Sequence, residues 1–482
     1  MVFFINFALD MEQTISEFLN TINEPLGGLM VAILSITGIW FTFRTRGVQF
    51  RMFGEMLRLL FNSTDNDSHK DNGTHKRVSS FEAFAVSLAS RVGTGNLAGV
   101  ATAIVIGGPG AIFWMWVMAL MGSATAFVES TLGQLFKQHH EDSFIGGPAY
   151  YIQRGLHCRW MSVLFAVLIT ITFGLSYNSI QSNTICGALQ KSFGWSPLWV
   201  GVVLSIVGLT IVFGGIKRIA RVSSILVPVM AIGYFLLAVF IIIMNLHLIP
   251  HVLKVIVTSA FGLEQVAGGG LGATMMIGIK RGLFSNEAGE GSAPNVAATA
   301  SVSHPVKQGL IQALGVFTDT LMVCSCTAFI ILICGLYQTT DLNGIVLTQA
   351  SVETVIGPFG SVFISIAILL FAFSSIIGNY YYGEANIRFL TNKKTVLTIY
   401  RIFSAGVVVM FGALATLELV WSLGDLCMAL LTACNLVAIV ALGRYVFRLL
   451  DDYRQQKCQG IKNPTFHRHQ IPELEADLDC WE

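Results

Sequence analysis

The sequence predicts an all-α polytopic membrane protein, and three observations carry that expectation. Hydrophobic residues make up 54% of the 482 residues and charged residues only 12%, which is too apolar for a soluble chain of this length. The apolar residues gather into runs about as long as the roughly 20 residues an α-helix needs to cross a hydrocarbon core of about 30 Å. Between those runs, Lys and Arg fall on alternate sides. The formal net charge of +1 leaves no basic excess to neutralise nucleic-acid phosphates. The cysteines are scattered, with no CxxC spacing and no matching His cluster, so neither a zinc site nor a disulfide scaffold is expected. No cleavable signal peptide is read at Met1, because no basic segment precedes Asp10, Glu12 and Glu17.

Eleven spans are expected, near 28–46, 81–106, 112–136, 160–185, 197–214, 223–246, 262–282, 308–336, 359–387, 396–416 and 419–446. The segment after the first carries Arg44, Arg46, Arg51, Arg58, Lys70, Lys76 and Arg77, whereas the segment before it carries only acids, so the N-terminus is placed outside and the C-terminus inside. Alternation then puts Lys137, Arg154, Arg159, Lys217, Arg218, Arg221, Lys280, Arg281, Lys307, Arg388, Lys393 and Lys394 inside, leaving only Lys191 and Lys254 outside. Arg51 to Leu60 reads as a short amphipathic helix on the cytoplasmic face, and Asn62 to Lys76 as a solvated loop. His69, His75, His139 and His140 have no carboxylate or thiol spaced to complete a metal site. The polar segment from Asp451 is expected to be a cytoplasmic tail that docks loosely or not at all.

The odd first span suggests an addition before a ten-span unit. The chain then divides into 1–80 (extra helix, amphipathic segment and loop), a first repeat at 81–248, a second at 249–446 and a tail at 447–482. The two five-span halves begin on opposite sides, the layout of an inverted-repeat secondary transporter. In such a layout the first span of each half is broken. Val92-Gly93-Thr94-Gly95-Asn96 interrupts the first, and Gly268-Gly269-Gly270-Leu271-Gly272 precedes Ala273 to Gly278 in the second.

A break frees backbone N–H and C=O groups at membrane depth, where something other than the helix must satisfy them. The restarting helix offers N–H groups at its positive end, suited to a carboxylate. The stopping helix offers carbonyls, here those of Ala89 through Val92, suited to a desolvated sodium ion. The plainer reading is that Gly93 and Gly95 only let helices pack closely. Thr94 and Asn96 add polar groups that packing does not need.

The run Gly107-Gly108-Pro109-Gly110-Ala111-Ile112-Phe113-Trp114-Met115-Trp116, continuing through Gly122, resembles the signature of the alanine or glycine:cation symporter family. So do Ile279-Lys280-Arg281-Gly282-Leu283-Phe284-Ser285-Asn286-Glu287-Ala288-Gly289, Arg91 to Asn96 and Tyr381-Tyr382-Gly383-Glu384, and the likeness runs from about residue 28 to 446. The resemblance implies a leucine-transporter-type 5+5 inverted repeat preceded by one extra helix, and sodium- or proton-coupled uptake of small neutral amino acids. It implies that Gly93, Thr94 and Gly95 bind the substrate carboxylate, that Gln181 is a polar substrate contact, and that Thr274, Met275, Met276 and Ile277 line the pocket. Ser374 and Ser375, with carbonyls of Ala89 and Val92, match the sodium site shared across that fold. One position departs: the family pattern has tryptophan where this chain has Asn379, one turn after Ser375 on the same face. An amide there enlarges the pocket and makes it more polar, so a longer polar substrate such as glutamine is expected alongside or instead of alanine.

Arg91 immediately precedes the break, so its charge needs a water path or a carboxylate partner. Asp319 is read either as a contributor to cation binding or as a structural ion pair or hydrogen-bond anchor. Arg91, Asn96 and Asp319 are thus candidates for coupling or gating. Glu129 is expected to form a packing or gating pair, and Glu287 and Glu384 either a cytoplasmic gate network or helix caps. The aromatics of Phe113 to Trp116 read as interfacial anchors, and Cys324 and Cys326 as small core residues. The leading expectation is a sodium-coupled symporter in the cell inner membrane whose partners are a small neutral amino acid, Na+ and the bilayer, with no cofactor. A proton-coupled symporter is the alternative, and a passive channel a further one. An enzyme is not expected, since HExxH, GxSxG and GxxxxGK[ST] are all missing.

Overall fold

A computed structural model describes residues 2–62, 78–140, 143–262 and 270–481. Gly268, Gly269 and most of the polar run that holds His69 and His75 lie outside the described residues. The chain is helical almost throughout. It begins with α1 (Val2–Arg44), α2 (Val48–Arg51) and α3 (Phe53–Asn62), followed by α4 (Ser80–Arg91), a π-helical turn at Gly95–Gly99, α5 (Val100–Gly107) and α6 (Gly110–Leu135). A short antiparallel hairpin, β1 (Gln138–His140) with β2 (Ser143–Ile145), leads into α7 (Pro148–Gly155). Then come α8 (Arg159–Ile171), a π-helical stretch at Thr172–Tyr177, α9 (Asn178–Phe193), α10 (Pro197–Val212), α11 (Gly215–Met244) and α12 (Ile249–Ala260). After α13 (Leu271–Asn286) and α14 (Ala293–Ala297) follow α15 (Pro305–Val316), a third π-helical stretch at Phe317–Cys324 and α16 (Ser325–Cys334). The remainder is α17 (Gly344–Ile356), α18 (Phe359–Leu390), α19 (Lys394–Ile402), α20 (Val408–Leu414) and α21 (Leu417–Cys458).

Helix ends follow local chemistry. Ser79 and Glu82 form a reciprocal capping box at α4. Pro148, Pro197, Pro250, Pro294 and Pro305 occupy first-turn positions, where a missing N–H costs no hydrogen bond. Among the described residues seven helices are long and apolar enough to cross a membrane, and Pro228–Met244 with Leu246–Ala260 forms a pair bent by 78°. The protein is a multi-pass membrane protein, as its composition predicts.

Several elements depart from the expected spans. The first helix starts far before residue 28, because its polar first half is paired with α21: Thr416 N donates to Glu12 Oε2 (2.9 Å), Ser422 Oγ to Asn20 Oδ1 (2.8 Å) and Asn23 Nδ2 to the Ser422 carbonyl (2.8 Å). Lys280 and Arg281, placed above at the inner end of the span 262–282, lie within α13 and are buried against Asp425 of α21, at 3.1 and 2.8 Å. The hairpin, α12 and α17 have no counterpart among the expected elements. Nor does the tail dock loosely. Phe466, Ile471, Leu474, Leu478 and Trp481 are all buried in the main core, because these spaced apolar residues find seats at the ends of the bundle's helices. Trp481 Nε1 donates to the Leu135 carbonyl (2.9 Å), Arg154 Nη1 to that of Asp477 (3.0 Å) and Phe466 N to that of Ser303 (2.9 Å).

Truncating Trp481 removes both its packing and its hydrogen bond, so Trp481→Ala is expected to destabilise the purified protein by about 3 kcal/mol. Thermal unfolding in detergent checks this, and an unchanged melting temperature contradicts the docked tail.

Candidate functional site

The first break separates α4 from the π-helical turn before α5, and all of its residues are buried. Its backbone groups are satisfied from elsewhere in the fold. Gly93 N donates to Asn96 Oδ1 (2.9 Å) and Thr94 N to Gln181 Oε1 of α9 (3.0 Å). Ser375 Oγ of α18 lies 3.0 Å from the Ala89 carbonyl and 3.4 Å from that of Val92, and Ser374 Oγ lies 3.3 Å from the Ala89 carbonyl. The expected cation set of Ala89, Val92, Ser374 and Ser375 is therefore assembled. A Cβ on Gly93 would clash with Ser375 Oγ and sit 2.9 Å from Gln181 Oε1, so only glycine allows this approach.

Behind the break, Asn96 Nδ2 donates to Asp319 Oδ1 (2.7 Å), while Ser285 Oγ and Thr320 Oγ1 donate to Asp319 Oδ2 (2.7 and 2.9 Å). Asp319 thus anchors Asn96, which in turn holds the Gly93 amide. Among the described residues no cation lies within ion-pair distance of it. Arg91 is fully buried and packs on Gly315, and its Nη1 donates to the Gln312 carbonyl (3.1 Å). It takes no direct carboxylate partner among the described residues.

Gly268 and Gly269 lie outside the described residues, Gly270 to Gly272 stand at the start of α13, and the described residues are unwound further along. The helix α13 starts at Leu271 and runs to Asn286; the chain then unwinds through Glu287 (φ 54°), Gly289 (φ 95°) and Gly291 (φ 80°) before α14. Gly289 N and Gly291 N donate to the Glu129 carboxylate of α6 (3.2 and 3.1 Å), and Asn435 Nδ2 of α21 donates to it as well (2.9 Å). Glu129 therefore holds the break's backbone rather than pairing with a cation. Glu287 accepts from Ser292 Oγ (2.6 Å) and lies 2.7 Å from Ser90 Oγ, and Glu290 accepts from Tyr177 OH (3.1 Å). Glu287 is thus a link between the two breaks, whereas Glu384 does sit in a charged network with Arg388 and Arg401.

Shifting the break moves the pocket wall. Residues Phe284 and Ser285 approach Gly95, at 3.1 Å from where its Cβ would be. Thr274, Met275, Met276 and Ile277 lie two turns or more earlier, about 12 Å along the helix, and Ile277 instead packs on Gly107. Phe284 also meets Tyr177 and Trp421, with ring centroids 4.8 and 4.7 Å apart, and Arg281 covers Trp421 at 4.3 Å. Asn379 is buried a turn from Ser375, its Oδ1 2.7 Å from Ser90 Oγ and its Nδ2 without a partner among the described residues. Phe284, Ser285 and Ser90 are absent from the expected site. The pattern Glu287-Ala288-Gly289-Glu290-Gly291, with two glycines among polar residues like the first break, is the signal that points to them.

Two unwound segments facing each other inside an all-helical membrane bundle define a transporter, not an enzyme. The chain belongs to the sodium:alanine symporter family, which matches residues 11–468. It is 49% identical over 472 residues to the probable sodium/glutamine symporter GlnT of Bacillus subtilis (strain 168), covering 98% of this chain and 97% of that one. It is 48% identical to the amino-acid carrier protein AlsT of the same organism, covering 98% and 99%. It shares its fold with MhsT, whose crystal structure holds L-phenylalanine, at TM-score 0.58 and 14% identity over 76% of this chain and 89% of that one.

Forcing a methyl group between Gly93 and Ser375 costs about 1–3 kcal/mol. Gly93→Ala is expected to cut amino-acid uptake by about tenfold or more. Gly28→Ala, with nothing within 4 Å of its Cβ position, should leave uptake unchanged. Equal uptake by both variants contradicts the close approach.

Proposed function

We propose that the chain is a sodium-coupled symporter that carries small neutral amino acids, alanine, glycine and glutamine among them, into the cell by alternating access. The observation that carries this is the convergence of four oxygens, the Ala89 and Val92 carbonyls with the Ser374 and Ser375 hydroxyls, on one side of the first break. Hydroxyls that now donate to those carbonyls can turn their lone pairs toward Na+, a hard ion that takes oxygen ligands. No cofactor beyond Na+ is needed.

The substrate carboxylate sits at the Gly93–Gly95 N–H groups, where the start of the following helix adds positive potential. Gln181 exchanges its hydrogen bond with Thr94 N for one to the substrate. The cation and the carboxylate then share one stretch of backbone, so ordering it for either favours the other. The unpartnered Nδ2 of Asn379, close to the same break, favours a substrate with a polar side chain, in keeping with the glutamine in a relative's name. Arg91, Asn96 and Asp319 hold the break in place for coupling. Met275, Met276, Thr274 and Ile277 line the approach rather than the pocket itself.

The topology that fits has eleven spans, α1 followed by two oppositely oriented five-span repeats at 81–248 and 249–446, with the N-terminus outside and the tail inside the inner membrane. Two results test the assignment. Ser375→Ala removes one of four cation ligands and is expected to raise the Na+ concentration for half-maximal uptake about tenfold, equivalent to about 1.4 kcal/mol; an unchanged sodium response removes the site. Unlabelled glutamine should compete with labelled alanine, and Asn379→Leu should weaken glutamine more than alanine; failure of glutamine to compete removes that substrate.

A further inference from the structure

Away from both breaks, a cavity of about 450 Å³ opens where the ends of two apolar helices meet. Arg159 begins α8, Arg388 lies in the last turn of α18, and Arg154 comes from α7 between them. Among the described residues no carboxylate lines this cavity, and the rest of its wall is mostly polar and uncharged, with Gln138, Gln153, Thr391 and Asn392 beside a smaller apolar share from Phe389 and Leu390.

The charges there are only partly answered. Arg154 Nη1 donates to the Asp477 backbone carbonyl (3.0 Å), and its Nε and Nη2 meet the Gln138 side-chain amide (2.5 and 3.0 Å), so both of its partners are neutral. Arg159 donates to Gln153 Oε1 (2.5 Å) and lies over the Phe389 ring at 4.8 Å. Neither has an ion-pair partner among the described residues. Arg388 pairs with Glu384 (2.7 Å), but that carboxylate also serves Arg401 (3.1 Å). Of the described acids nearby, Asp477 has Oδ2 3.6 Å from His157 Nε2, and Asp479 accepts from His139 N (3.0 Å).

We infer that this cavity binds the phosphate of an anionic phospholipid headgroup. Guanidinium groups meet phosphate oxygens bidentately, and basic pockets between transmembrane helices suit such headgroups. The depth fits a lipid rather than a soluble anion. The two helices end where the hydrocarbon must end, and Trp160, next to Arg159, is 70% exposed, the position of an interfacial aromatic anchor. The mostly polar wall suits the headgroup itself, and the acyl chains would lie outside the cavity along the helices. Since Phe389 belongs to the helix that carries Ser374 and Ser375, a bound lipid braces the end of the helix that holds the cation hydroxyls.

The test uses the full chain, purified in detergent and studied by native mass spectrometry with phosphatidylglycerol or phosphatidylcholine of identical acyl chains. Phosphatidylglycerol is expected to be retained preferentially, with Arg154→Gln and Arg159→Gln each weakening it about fivefold. Excess inorganic phosphate should leave the lipid bound, and Arg159→Lys should keep most of the preference. Melting temperatures in phosphatidylcholine identify a variant that has unfolded; should Arg154→Gln do so, Arg159→Gln alone carries the test. Equal retention of the two lipids, an undiminished preference in folded Arg159→Gln, or displacement by inorganic phosphate overturns the inference.

Discussion

Backbone groups released inside a membrane have no water to turn to, and the protein must supply every partner itself. The arrangement of this fold follows from that constraint at two places. At the first break the partners are Asn96, Gln181 and Ser375, drawn from the break's own helix, from α9 and from α18. At the second they are Glu129 of α6 and Asn435 of α21. Helices far apart in sequence are thus tied to two short unwound segments.

The two breaks are satisfied by different chemistry. Neutral amide oxygens hold the N–H groups of the first, and a ligand bearing a full negative charge can take the place of such an acceptor with a gain in electrostatic energy. An ionisable side chain of the protein already occupies the second. The proposed substrate and cation sites are therefore assigned to the first break, while the second is an internally bonded turn. Arg91, next to the first break, is held by the Gln312 carbonyl (3.1 Å).

Much of the fold was legible because membrane spans are set by length and hydropathy, which local sequence records directly. The break at Val92 to Asn96 was legible for the same reason, as polar and glycine residues stand out in an apolar run. Glycines at 268–272 misled because glycine marks flexibility without saying whether a helix has begun; α13 starts there, and the unwinding comes at Glu287, after the residues that resemble the family signature. Lys280 and Arg281 misled because their charge was taken to mark the end of a span at the inner face, when Asp425, distant in sequence, pairs with them inside the bundle. The docked tail was illegible because its apolar residues are spaced singly, and only the fold shows the seats they fill.

A single helix joins regions that the chain order keeps apart. The 42 residues of α21 extend about 63 Å. Near its start Asp425 holds the α13 cations; midway Asn435 touches Glu129 and the Gly289 carbonyl; beyond these, Tyr453 donates to Glu55 of α3 and Asp452 lies 3.1 Å from His304. A rod of fixed length cannot tilt at one end alone. Any rotation that parts Asp425 from Arg281 swings the opposite end through an arc as well, so the surface bearing the tail registers movement at the far mouth of the protein without any separate messenger.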